Sequence, residues 1–271
     1  MQRAYKPGQE VGTSYFGSIV RPYVGPGYWA PHRSGPFAQI NLPSWADGGE
    51  PEHTGALDVF SGTGDRAQLT EVYVDGELAG SSAYQSAFVG GIPDGESEWR
   101  VVNTATHDGS YLSSSTKTVT EWTFRSTGSS TEYEAQLLPM MQAFYDVTLD
   151  DSGKVGAKRK KGKPVALGLE IGHILGAVGS DELEDATLEV RVAGGEWAPV
   201  ALQVTAADDS RDDVELTSNF PEGRDFVTAY SADVRVPDAG GWVDLRVTAT
   251  DASGSTFSQE IERAFEAAPI K

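Results

Sequence analysis

The chain of 271 residues contains no cysteine. That absence excludes disulfide scaffolds, thiolate zinc sites and cysteine nucleophiles. Cationic side chains are also scarce: 21 Lys and Arg stand against 40 Asp and Glu, a formal charge of −19 at pH 7. A chain of that sign lacks the positive charge that neutralises phosphates, so no nucleic-acid partner is expected. Anionic membrane surfaces repel it for the same reason. No apolar run approaches the roughly 20 residues with which a helix crosses a bilayer. The opening Met1-Gln2-Arg3-Ala4-Tyr5-Lys6-Pro7-Gly8 has no apolar core of a secretory signal. Either the chain is cytoplasmic, or it is a fragment whose targeting segment lies upstream, and the fragment is the expected case.

Chemical signatures are equally sparse. There are four histidines, His32, His53, His107 and His173, too far apart to suggest a metal site. No His-Glu-x-x-His helix and no Gly-x-Ser-x-Gly elbow occurs. His173 lies in an apolar run and reads as a structural histidine. His107 precedes Asp108-Gly109 and reads as a turn cap, which leaves His32 and His53 as the candidates for a site.

What the sequence does have is β-pattern. Trp242-Val243-Asp244-Leu245-Arg246-Val247-Thr248-Ala249-Thr250 alternates at period two, the mark of a strand with one buried and one wet face. The turn Asp251-Ala252-Ser253-Gly254-Ser255 follows, and Thr256 to Phe265 returns as a second strand. Gln68–Val74 meets Glu77–Gly80 across Asp75-Gly76, a strong hairpin signal. Trp99–Thr106 and Thr116–Phe124 form a further pair. Leu188–Val192 runs through Gly194-Gly195 to Trp197–Leu202, and Pro164–Ile174 and Ala229–Val236 add two more strands. Asp181–Ala186 carries a weak helical hint. Trp99, Trp122, Trp197 and Trp242 are all expected in or at the edge of the core.

These elements predict an all-β chain. Arg125-Ser126-Thr127-Gly128-Ser129-Ser130-Thr131 is polar and lacks apolar anchors, so a boundary is placed there. Two consecutive antiparallel β-sandwich domains are expected, residues 1–134 and 135–271. The first carries Pro-rich, aromatic N-terminal loops, and the second has the strand count of an immunoglobulin-like or fibronectin-like sandwich.

Three stretches carry a wider likeness: Val72-Tyr73-Val74-Asp75-Gly76-Glu77-Leu78-Ala79-Gly80, Thr120-Glu121-Trp122-Thr123-Phe124-Arg125-Ser126 and Gly241 to Gly254. With the Lys6-Pro7-Gly8-Gln9 entry, they resemble the non-catalytic C-terminal region of large secreted subtilisin-like serine peptidases of actinobacteria. The resemblance implies secretion, an upstream catalytic domain and a binding role for this chain. It supplies no catalytic residue here, because the family's nucleophile sits in a Gly-Thr-Ser-Met-Ala type turn. Gly12-Thr13-Ser14-Tyr15 shares only its first three letters. The chain is thus expected to be a non-enzymatic accessory region that docks its catalytic domain or a protein substrate. The alternative is a free-standing carbohydrate-binding or cell-wall adhesion module.

For either role the candidate ligand-binding residues are Tyr23, Tyr28, Trp29 and Trp45, since flat aromatic rings stack on sugars or grip extended peptides at little rotamer cost. No cofactor is expected. Acidic turns at Asp146, Asp150 and Asp151 and at Asp208, Asp209, Asp212 and Asp213 lack EF-hand spacing. Of these, Asp208–Asp213 is the preferred position for a structural calcium ion. The run Lys158 to Lys163 stands apart as an exposed basic loop.

Overall fold

The structure, a computed structural model, describes residues 19–24, 30–47, 54–55, 64, 66–110, 112–128, 134–150, 153–155, 160–208 and 223–270. Among these the chain is all-β, with nineteen strands and no helix. The first seven are β1 (His32–Ser34), β2 (Phe37–Asn41), β3 (Trp45–Ala46), β4 (Thr54–Gly55), β5 (Arg66–Val74), β6 (Glu77–Ser82) and β7 (Ser86–Gly90). Then come β8 (Ser97–His107), β9 (Lys117–Ser126), β10 (Gln136–Leu137), β11 (Met141–Asp146), β12 (Lys154–Val155) and β13 (Val165–Ile174). The last six are β14 (Leu183–Val192), β15 (Ala198–Val200), β16 (Leu202–Asp208), β17 (Arg224–Val234), β18 (Gly241–Asp251) and β19 (Thr256–Ala267).

Alternation decides where each strand lies. In β9 the side chains of Thr118, Thr120, Trp122 and Phe124 are buried while their neighbours face outward. Strand β19 buries Phe257, Gln259 and Ile261 in the same way. Phe257 sits directly opposite Trp122, so both strands offer their apolar set to one face. The hairpin between β5 and β6 turns at Asp75 and Gly76, both with positive φ (50° and 83°) as the tight hairpin turn requires.

The division expected at residue 134 is crossed by hydrogen bonds. Strand β9 pairs antiparallel with β19 from Lys117↔Glu262 to Thr123↔Thr256. One nine-stranded sheet results, with main order β15-β14-β18-β19-β9-β8-β5-β6 and β12 joined to β19. Two four-stranded sheets, β10-β1-β2-β7 and β11-β13-β17-β16, and the β3-β4 pair accompany it; one large apolar cluster draws on both halves, beside a small one of Val20, Trp45 and Ala105. The two expected halves are thus linked through one shared sheet. The polar stretch after Phe124 reads as a linker in sequence. Yet the backbone edge of β9 needs partners whatever its side chains are, and the last strand supplies them.

Side chains reinforce the join. Trp122 donates its indole N–H to the Met141 carbonyl at 2.7 Å. Gln259 donates to Thr120 Oγ1 at 2.9 Å and accepts from the buried Tyr145 hydroxyl at 2.9 Å. Burial pushes the Tyr145 hydroxyl pKa well above that of an ordinary phenol. A buried amide with partners on both sides of the join fixes the alignment of the two halves, since a slipped register would orphan it.

Three local expectations are corrected. Asp181–Ala186 enters strand β14 instead of a helical turn, because Leu183 onward pairs with β18. Trp197 precedes β15 and is only half-buried. The run through Leu202 does not stay one strand: β15 pairs with β14, and β16 crosses to pair with β17.

Candidate binding cleft and its buried support

A cleft of about 440 Å³ opens at the ends of the central strands. The N-terminal half contributes Glu96, Glu98 and Thr123 to Thr127; the C-terminal half contributes Val178, Gly179 and the β18–β19 turn Ser253-Gly254-Ser255. Four chain segments distant in sequence thus converge because β9 and β19 are neighbours. Thr123 and Thr256 join their hydroxyls at 2.6 Å across that pair.

Arg33 holds the N-terminal wall. It is almost fully buried, and its guanidinium donates to the carbonyls of Ser126 (2.6 Å), Pro93 (2.7 Å), Gly95 (3.3 Å) and Gly35 (3.2 Å). A planar fork with five donors suits a set of carbonyls in a way a lysine ammonium does not. Desolvation lowers the Arg33 pKa, with Asp94 and Asp75 acting in the opposite direction. Gly128 approaches so closely that a Cβ there would stand 2.7 Å from Arg33 Nε, and its φ of +72° also suits glycine.

The C-terminal wall rests on a buried acid. Asp251 Oδ1 accepts from Ser253 Oγ (2.7 Å) and from the Ser255 backbone N–H (2.8 Å). Its Oδ2 lies 3.1 Å from His173 Nε2, an ion-pair distance without the alignment of a good hydrogen bond. Both side chains are wholly buried. Burial raises the Asp251 pKa, but the contacts from His173, Ser253 and Ser255 outweigh it and hold the carboxyl below its ordinary value. Phe226, held at φ +52°, packs edge-on to the His173 ring at 6.4 Å. His173 is thus buried within β13, as its apolar run predicts.

The sequence of contacts here is serine to aspartate to histidine. A nucleophilic triad instead places the imidazole between serine and carboxylate, where it can take the hydroxyl proton. Ser253 meets a carboxylate of lowered pKa, a poor proton acceptor, and the imidazole lies behind it. The arrangement fixes the turn that lines the cleft.

What the cleft offers a ligand is a set of hydroxyls, the carboxylates of Glu96 and Glu98, and the half-exposed Val178 side chain. Arg125 bonds Glu96 at 3.1 Å, but both side chains are largely exposed, so the pair is weak and can exchange for a ligand. Glu98 has its backbone N–H engaged by Asp75 Oδ1 at 2.9 Å, which fixes where its side chain leaves β8.

The sequence-predicted aromatics do not gather here. Tyr23 is buried and meets Phe144 edge-on at 6.5 Å. Trp45 is buried beside Arg66, whose guanidinium lies 5.9 Å from its ring. Neither can serve as an open platform. Tyr28, Trp29 and His53 lie outside the described residues, as do Asp151 and residues 209–213 of the expected calcium loop. His32 is buried, with Nδ1 2.9 Å from the Ala30 carbonyl. His107 accepts the Gly109 N–H at 3.2 Å, the turn-capping role expected of it. Among the described residues no group of three or more His, Asp or Glu is placed to hold a metal ion.

Sequence reasoning missed the cleft residues. Ser253–Ser255 reads as part of an ordinary turn and Glu96 and Glu98 carry no motif, and only the tertiary pairing of β9 with β19 brings them together. No family model, no curated protein and no solved structure matches this chain.

Proposed function

We propose that the chain is a non-catalytic binding region that receives an extended polypeptide in the cleft between its halves. The supporting observation is that both halves build one opening, with rigidly braced walls on each side and two carboxylates at its rim. Such an opening suits a peptide carrying a Lys or Arg side chain, with the wall hydroxyls as partners for its backbone amides. In line with the resemblance to secreted subtilisin-like peptidases, the partner is a protein substrate or the surface of an upstream catalytic domain. Secretion belongs to the same proposal.

The test is a titration of the chain with short lysine-containing peptides, followed by backbone amide shifts. Saturable shifts should concentrate at Thr123–Thr127, Val178–Gly179 and Ser253–Ser255. Replacing Glu96 and Glu98 together by Gln should weaken binding about threefold to tenfold, the range of two solvent-facing charge contacts. Shifts confined to other surfaces, or equal binding by the double variant, would sink the proposal. The carbohydrate alternative loses Tyr23 and Trp45 as a platform, since both are buried.

A further inference from the structure

Strands β2 and β7 pair with Phe37 opposite Gly90, Gln39 opposite Phe88 and Asn41 opposite Ser86. Side chains alternate across a strand, so these six residues share one face. Their neighbours Ala38, Ile40, Ala87 and Val89 are buried on the other. The shared face leaves Phe88 69% and Phe37 57% exposed, the former being the most exposed large apolar side chain among the described residues. The two rings occupy diagonal positions of the ladder, about 7–8 Å apart at their attachment points. Phe37 leans over Gly90, where a Cβ would meet its ring at 3.6 Å. Beside the rings, Gln39 donates its amide N–H to Asn41 Oδ1 at 3.0 Å, and the Ser86 hydroxyl donates to the same oxygen. Asn41 thus fixes both side chains, and the Gln39 carbonyl and Ser86 oxygen stay available as acceptors.

None of the six residues is ionisable, in a chain of net charge −19. Rings with fixed amides and hydroxyls, and no charge, match a ligand that has apolar C–H faces, many hydroxyls and no charge of its own. We propose that the β2–β7 face binds a neutral polysaccharide, with Phe37 and Phe88 as stacking platforms, Gln39 and Ser86 as hydroxyl partners, and the buried Asn41 holding those two in place. Strand addition fits less well. Although β7 ends its sheet, β6 passes so close to it that a Cβ on Gly80 would lie 2.7 Å from the Phe88 carbonyl oxygen. A second copy of the chain brings like charge toward like charge.

The test titrates the full chain separately with cellohexaose, xylohexaose, mannohexaose and chitohexaose, followed by backbone amide shifts. At least one should move the Phe37–Asn41 and Ser86–Gly90 amides and saturate. Phe88→Ala, at a site too exposed to disturb the core, should weaken that binding about threefold to tenfold, the size of one stacking contact. Gln39→Ala should weaken it too, with circular dichroism confirming that both variants fold. The proposal is overturned if no hexaose saturates below about 10 mM, or if Phe88→Ala binds equally well. A dimer in sedimentation that Phe88→Asp dissolves would also overturn it, by assigning the face to a second copy.

Discussion

Strand β18 carries acidic side chains in two different settings. Near one end, a nearly buried Asp244 and a half-exposed Arg246 belong to a ladder of ion pairs: Arg191 bonds Asp244 at 2.6 Å, and Arg246 bonds Glu260 at 2.9 Å and Glu189 at 3.2 Å. Trp197 lies between the two guanidiniums, 4.8 Å and 4.1 Å from its ring. At the other end Asp251 is sealed beside His173 with no exposure. The ladder has more bonds, yet the buried site is expected to be the more sensitive to loss of a partner. Water competes for the half-exposed Arg246 contacts, whereas the Asp251 carboxylate and the Ser255 N–H it accepts from are out of its reach.

The sharpest break of this comparison is Asp251→Ala. It removes the acceptor of the buried Ser255 N–H and the carboxylate facing His173, and is expected to cost about 1–3 kcal/mol, the usual penalty for leaving a buried polar group unsatisfied. Urea unfolding measures it, and a loss under about 1 kcal/mol would mean the site relaxes or takes up water.

Acid gives the next largest effect. The Asp251 carboxyl is held below its ordinary 3.8 in the folded state. Its stabilisation is therefore present above that value and lost as pH falls through the folded pKa. The gap in urea midpoint between the parent chain and Asp251→Asn should narrow as pH drops below about 3.8. A gap that stays constant to pH 2 would contradict the assignment.

Smaller still is Arg246→Ala on the ladder. It removes two half-exposed ion pairs and one cation–π contact, and about 1 kcal/mol is expected. In 1 M salt, where screening acts within about 3 Å, the ion-pair share should vanish. Lys161→Ala comes last: its 3.8 Å contact with Asp238 is open to solvent on both sides, and no measurable change is expected.

How much of this was legible in the sequence depends on which force places each residue. Alternation located β8, β9 and β18, and Asp75-Gly76 located a hairpin, because burial and turn geometry act locally. Strand β16 had no such signal: Leu202–Asp208 is half- or fully exposed throughout and is held by backbone pairing to β17. The same limit applies to tryptophan. Trp99 and Trp122 are buried as expected, but Trp197 and Trp242 meet arginines on an outer face, where a large ring can cover a guanidinium as readily as a core. Seen as a string, Tyr23 and Trp45 looked like an open platform; neighbours such as Phe144 and Arg66 cover them. The cleft was illegible because it exists only once β9 finds β19.

That pairing also sets an order of events during synthesis. Strand β9 is complete by Ser126, but its partner β19 is not complete until Ala267. A ribosome adding about 5–20 residues per second leaves that edge open for roughly 7–28 seconds. Through that interval the emerging N-terminal half presents a long strand with one edge unpaired, a surface on which misassembly can begin. The closing strand therefore acts as a keystone laid last.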